Sequence, residues 1–208
     1  MKESSIIYRP IKASDYKFLE NIIKETWNYN RLGTDKLAKK LAKVYLASCL
    51  SNQTFTSVAL VNDEPVGVIM AKNKLKHNIP IKYNIRKWIA IFEIIIAKDS
   101  REIAKIFQEV DEIDKILFKR VSKKFDCELA FFVVDQKQRG SGIGKELYQQ
   151  FLNYMSSEGL DTFYLFTDTT CNYSFYERKG LKRLAQEKLD IPILQKDMQF
   201  YVYGNIKR

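Results

Sequence analysis

The sequence predicts an α/β (α+β) domain. Its sheet is mixed and mostly antiparallel, with helices on both faces and a helical insertion over about residues 72–127. Three observations predict it. Residues 55–61 and 65–71 read as strands joined by Asn62-Asp63-Glu64, turn chemistry that makes a hairpin. Residues 128–167 read strand, glycine loop, helix, strand, which is a βαβ unit with parallel strands. Two helix-period apolar stripes precede both units.

In chain order, Ile6–Arg9 is a short strand stopped by Pro10. Ser14 is the expected N-cap of a helix carrying Leu19, Ile22, Ile23 and Trp27 on one face. Thr34 caps a second helix with Leu37, Leu41, Val44 and Tyr45 on one side. After the hairpin, residues 84–97 are helical but apolar around most of the circumference. Such a helix must be buried by something: the domain's own sheet, a second copy of the chain, a substrate pocket beneath it as a lid, or a membrane surface. Asp99 and Glu102 form an expected capping box for a further helix with Ile103, Ile106, Phe107, Val110, Ile113 and Leu117 as its stripe. Glu128–Val134 is an apolar strand and Asp135–Arg139 a polar turn. Ile143, Leu147, Tyr148, Phe151, Leu152 and Met155 mark a helix ending near Gly159. Thr162–Thr167 is the next strand. A short helix over 172–179 stops at Gly180, a suitable C′ residue, and strands over 181–189 and 198–203 close the chain.

At 208 residues and 24.4 kDa the chain suits one domain over 1–208. It is 46% hydrophobic with 8 Gly and 4 Pro, which excludes disordered and collagen-like classes. No apolar run approaches the roughly 18 residues that cross a bilayer; the longest, Trp88–Ala97, carries Glu93. MKESSIIYRP has no apolar core, so no secretory signal is expected. Cys49, Cys127 and Cys171 are odd in number and dispersed, and His77 is the single histidine. Neither a disulfide framework nor a metal site is therefore expected, and the location expected is the cytoplasm. The net charge of +10 raises the question of a nucleic-acid partner. About +6 of it lies between Lys72 and Cys127, with 14 Lys/Arg against 8 Asp/Glu, where long helices carry solvated lysines. No helix-turn-helix or basic aromatic pattern supports DNA binding beyond that charge.

The sharpest local signal is Gln138-Arg139-Gly140-Ser141-Gly142-Ile143-Gly144-Lys145, between a strand and a helix N-terminus. Backbone N–H groups there are unpaired and the helix dipole favours an anion. Glycines admit phosphate oxygens close to the backbone and allow positive φ. The spacing is not that of a Walker loop, because Gly140 and Gly144 are one residue too close and Glu146 stands where a hydroxyl is needed. The run G-x-G-x-G also fails the dinucleotide fingerprint G-x-G-x-x-G.

Arg139-Gly140-Ser141-Gly142-Ile143-Gly144 does fit [R/Q]-x-x-G-x-[G/A], and so resembles the acyl-CoA pyrophosphate loop of the GNAT superfamily of N-acetyltransferases. Asn172-Tyr173-Ser174-Phe175-Tyr176-Glu177-Arg178-Lys179-Gly180-Leu181 is similar to that superfamily's N-x-x-x-F-Y-x-x-x-G-[FL] motif. The hairpin SVALVNDEPVGVIM, with Val66-Gly67, resembles the family's second and third strands, and the order of elements matches. The resemblance covers most of 5–71 and 128–204 but not 72–127.

The resemblance implies two splayed parallel strands and acetyl-CoA as co-substrate. Arg139, Gly140, Ser141, Gly142, Ile143 and Gly144 would hold its pyrophosphate through backbone N–H groups. Phe132, Val133 and Val134 would offer a strand edge to the pantetheine arm, with the Val134 N–H at the oxyanion. Asn172 would contact the pantetheine. Tyr176 would bind near the sulfur and protonate the departing thiolate, a role its pKa of about 10 suits. Glu128, at the start of the strand, would be the general base, directly or through water. Its bland reading is a solvent-facing carboxylate. Cys171 reads as a bystander, because the family transfers acetyl directly to the amine in a ternary complex. Lys145 either adds charge near the phosphates or is merely solvated. The expected function is acetyl transfer from acetyl-CoA to a primary amine of a small molecule. A protein or peptide acceptor is the alternative, as is a non-catalytic CoA-binding module that uses the insertion for a partner. A homodimer through the insertion is a further expectation.

Overall fold

The structure is a computed structural model. It describes residues 6–76, 78, 80–95, 100–191 and 196–205, and of 100–107, 190, 191, 196 and 197 the backbone only. His77, Ala97, Asp99 and the side chains of Glu102, Ile103, Ile106 and Phe107 lie outside the described residues, so the expected capping box does too.

Seven strands form one sheet: β1 (Ile6–Arg9), β2 (Phe55–Val61), β3 (Glu64–Asn73), β4 (Cys127–Val134), β5 (Phe163–Asp168), β6 (Lys182–Ile191) and β7 (Lys196–Gly204). Their spatial order is β1-β2-β3-β4-β5-β7-β6. Only β4 and β5 run parallel; every other neighbouring pair is antiparallel. Among the described residues the α-helices are α1 (Tyr16–Thr26), α2 (Asp35–Ser51), α3 (Ile81–Ile95), α4 (Ser100–Arg120), α5 (Ile143–Ser157) and α6 (Ser174–Arg178). The βαβ unit is thus β4–α5–β5, as expected.

Strand alternation divides the core. Val58, Leu60, Val68, Met70, Phe131 and Val133 face α1 and α2, packing on Leu19, Ile23, Leu41, Leu46 and Leu50. Ala59, Ile69, Ala71 and Leu129 face the other way, against Ile143, Leu147, Phe151 and Met155 of α5. Ile113 and Leu117 of α4 close a third cluster on Phe200 and Val202 of β7.

Two local signals differ from expectation. Ser14 does not cap α1. A 3₁₀ turn over Ala13–Asp15 precedes the helix, and the buried Asp15 carboxylate accepts the Lys12 N–H at 2.7 Å. Arg9 donates to both Asp15 oxygens at 2.7 and 2.8 Å, which ties β1 to the start of α1. Thr34 does cap α2, its Oγ1 accepting from the Leu37 N–H at 3.3 Å. The second difference is α3. It does not lie on the sheet but forms an outer layer against α2 and α1. Ala90 and Ile94 are buried there, Arg86 pairs with Glu20 at 2.9 Å, and Lys43 pairs with Glu93 at 2.7 Å.

Candidate active site

The site begins where the sheet parts. β4 and β5 pair only at Cys127↔Phe163 and Glu128↔Tyr164. From Leu129 to Val134 the β5-facing edge of β4 is open, while its other edge stays paired with β3 as far as Gly67↔Val134. The register on that side jumps from Met70↔Phe131 to Ala71↔Leu129, leaving Ala130 as an extra, bulged residue. The Asp135 N–H donates to the Val66 carbonyl at 2.7 Å, toward β3. Strand alternation therefore turns the N–H groups of Val134 and Phe132 to the open edge.

Beyond β4 the chain makes the glycine loop. Asp135 accepts the Lys137 N–H at 2.8 Å, and the Ser141 hydroxyl donates to the Gln138 carbonyl at 2.6 Å. Gly140 and Gly142 both sit at φ +87°, a conformation that glycine adopts without strain. A Cβ at either would meet nothing within 4 Å and would project into open space. The first backbone bond of α5 runs from the Glu146 N–H to the Gly142 carbonyl at 3.1 Å. The amides from Gly142 to Lys145 therefore precede the helical ladder. Ile143 anchors the turn by burying its side chain, so only its backbone is available at the loop. Gly67 is glycine for a different reason: a Cβ there would stand 3.1 Å from the Val133 carbonyl and 3.3 Å from Leu147 Cδ1, where β3, β4 and α5 meet.

A cavity of about 360 Å³ joins the loop to the open edge of β4, a volume typical of small-ligand pockets. Phe132, Val133, Val134, Arg139, Gly140, Gly142, Gly144, Asn172 and Tyr176 all line it. Ser141, Ile143 and Glu128 do not. Glu128 sits one residue below, at the last parallel rung, where it accepts from the Tyr164 hydroxyl at 3.2 Å. Arg139, Lys145 and Arg178 give the lining cationic groups that suit an anionic ligand. Together with the open helix N-terminus and the bare glycines, they fit the diphosphate of a CoA ester.

The far wall is aromatic. Trp27 lies 5.2 Å from Tyr45 and 6.0 Å from Phe131 between ring centroids, and Phe175 contacts Phe132 at 5.6 Å and Tyr176 at 5.5 Å. Trp27 and Tyr45 read in the sequence as core-face residues of their helices; no local signal marks them as lining a site that also draws on β4. Burial holds the Tyr176 hydroxyl well above the usual tyrosine range, with Cys171 and Tyr148 adding to the effect. The group is a proton donor at neutral pH, and among the described residues that hydroxyl has no hydrogen-bond partner. Burial, then Asp168, pushes the Cys171 thiol up to about 11. That leaves it protonated and a poor nucleophile. Asp114 of α4 was not marked by the sequence. Burial, with Glu128, Asp111 and Asp168, pushes its carboxyl up to about 7.

The profile of the Acetyltransferase (GNAT) family matches residues 17–181. The chain belongs to the GNAT acetyltransferase family. The matched span encloses the insertion and both motifs. Solved structures share the fold along nearly the whole chain. The smu.2055 protein of Streptococcus mutans UA159 is 15% identical with a TM-score of 0.56, covering 96% of this chain and 98% of that one. The ribosomal-protein-S18-alanine N-acetyltransferase of Escherichia coli is 9% identical with a TM-score of 0.54, covering 96% and 92%. Arabidopsis thaliana NAA60, solved with a bisubstrate analogue, is 15% identical with a TM-score of 0.53, covering 97% of both chains. At these identities they speak to fold alone. No curated protein sequence matches significantly. Among the described residues, no helix is long and apolar enough to cross a membrane.

Proposed function

We propose that this GNAT chain transfers an acetyl group from acetyl-CoA to a primary amine of a small molecule, by direct attack in a ternary complex. The whole chain, insertion included, acts as one acyltransferase domain. The observation that carries the reading is the cavity that runs from the amides of the glycine loop along the open edge of β4 to Tyr176.

In this reading the diphosphate accepts hydrogen bonds from the amides between Gly140 and Lys145, with Arg139 adding charge. The pantetheine amides pair with the free edge of β4 as an added strand, with Asn172 on the opposite wall. The amine attacks the thioester carbonyl. The Val134 N–H stabilises the oxyanion as the tetrahedral intermediate forms. The intermediate collapses with cleavage of the C–S bond, and Tyr176 donates its proton to the departing thiolate. The proton lost by the ammonium passes through water to Glu128, below the floor of the cavity. The wall of Trp27, Tyr45 and Phe131 favours a compact acceptor over an extended one.

The test is release of CoA thiol from acetyl-CoA with a panel of small amines and amino-terminal peptides, beside calorimetry with CoA. Turnover with small amines is the expected result. Turnover confined to peptides would shift the acceptor class. Tight CoA binding with no turnover on any amine would leave a binding module.

A further inference from the structure

The exposed side of α3 is unlike the rest of the surface. Ile81, Ile85, Trp88, Phe92 and Ile95 are each between 55% and 77% exposed, and Ile89 beside them is 52% exposed. Monomers seldom leave so large a contiguous apolar patch in water. The spacing of the first five is 4, 3, 4, 3, a strict heptad seam rather than the broader stripe of a helix lying on a core. The opposite side of α3 is already occupied by α1 and α2. None of the six residues lines the cavity, so the stripe is not its lid.

We propose that a second copy of this chain covers the seam, with the two α3 helices packed antiparallel about a twofold axis. A seam of alternating 3 and 4 spacing selects another helix, because its side chains fill holes between side chains of a like seam. A second copy supplies one with matching periodicity. Charge fits the antiparallel choice. Lys82 and Glu93 lie on the same flank of the seam at opposite ends of the helix, at about 100° per residue. A twofold antiparallel copy brings Lys82 of each chain toward the Glu93 flank of the other, where the carboxylate already pairs with Lys43. Arg86 with Glu20 and Glu93 with Lys43 hold the other side of α3 to α1 and α2, so the seam is left facing outward as a whole.

This inference does not depend on acetyl transfer, and its test reads mass rather than turnover. Sedimentation velocity of the full chain at micromolar concentration is expected to give a dimer. Trp88→Glu and, separately, Ile85→Lys are expected to give monomers with unchanged circular dichroism, since both side chains are exposed in one copy, and with a melting temperature that no longer rises with protein concentration as the dimeric parent's does. A monomeric parent chain overturns the proposal, as does a dimer that survives both substitutions. Flotation with phosphatidylglycerol vesicles of a parent chain that stays monomeric, lost in Trp88→Glu, overturns it in favour of a lipid surface.

Discussion

Tyr176 owes its proposed role to position as much as to chemistry. α6 sets it in the cavity wall beside Phe175, and burial keeps its proton on. Tyr176→Phe is expected to lower turnover roughly 10²–10⁴-fold with little change in CoA affinity, read by steady-state rates beside calorimetry. An unchanged rate removes the hydroxyl from the mechanism. Gly142→Val tests the loop. Its φ of +87° and the empty space around its Cβ direction mean that a side chain strains the turn and enters the proposed phosphate site, with no core packing lost. CoA binding is expected to vanish while the fold survives, with the melting temperature lowered by several degrees from the strained turn. Asp114 gives a pH prediction. Its folded pKa, raised to about 7, means the folded chain holds that proton more tightly than the unfolded chain does. Stability is therefore lost as pH rises from about 4 through 7. Asp114→Asn is expected to unfold at a higher temperature than the parent at pH 8, by the equivalent of a few kcal/mol, and at the same temperature near pH 4. An equal gain at both pH values refutes the titration.

At the scale of elements, β3, β4 and α5 meet closely at Gly67. Gly67→Ala brings a methyl within 3.1 Å of the Val133 carbonyl. Overpacking of this kind costs about 1–3 kcal/mol, several degrees in a thermal melt. Most elements were legible because their signals are local: Thr34 three residues before Leu37, Asn62-Asp63 between two apolar runs, glycines at the mouth of a helix. The start of α1 was not. Ser14 reads locally as the cap, but the buried carboxylate of Asp15 closes the turn instead, held by the Arg9 fork from β1, a partner six residues away. The strand over 128–134 was legible but its bulge at Ala130 was not, because a bulge is a property of the pair and Met70 belongs to another segment. The placement of α3 was equally hidden. Its composition demands a cover, and nothing in its own residues says whether that cover is the sheet, α2 or another molecule.

For the molecule as a whole, the candidate site was half legible. The loop and the 172–181 motif are contiguous in sequence and both line the cavity. The wall made by Trp27, Tyr45 and Phe131 is assembled from three distant segments and had to wait for the fold. Ligand binding should be visible globally. A CoA ester at about a hundredfold excess over its dissociation constant adds about 2.7 kcal/mol of stability, or about 5–10 °C in melting temperature for a chain of this size. An unchanged melt across that titration would contradict the proposed site.

The two-rung ladder between β4 and β5 has a mechanical consequence. Strands β1 to β4 and strands β5 to β7 form two plates stitched edge to edge at one end only, with α5 as the strap that spans the gap. A ligand wedged between the plates supplies the missing stitches. Deuterium uptake at the Phe132 and Val134 amides is therefore expected to be fast in the empty enzyme and to slow when the wedge is in place, while the β3-facing amides of Phe131 and Val133 exchange slowly throughout.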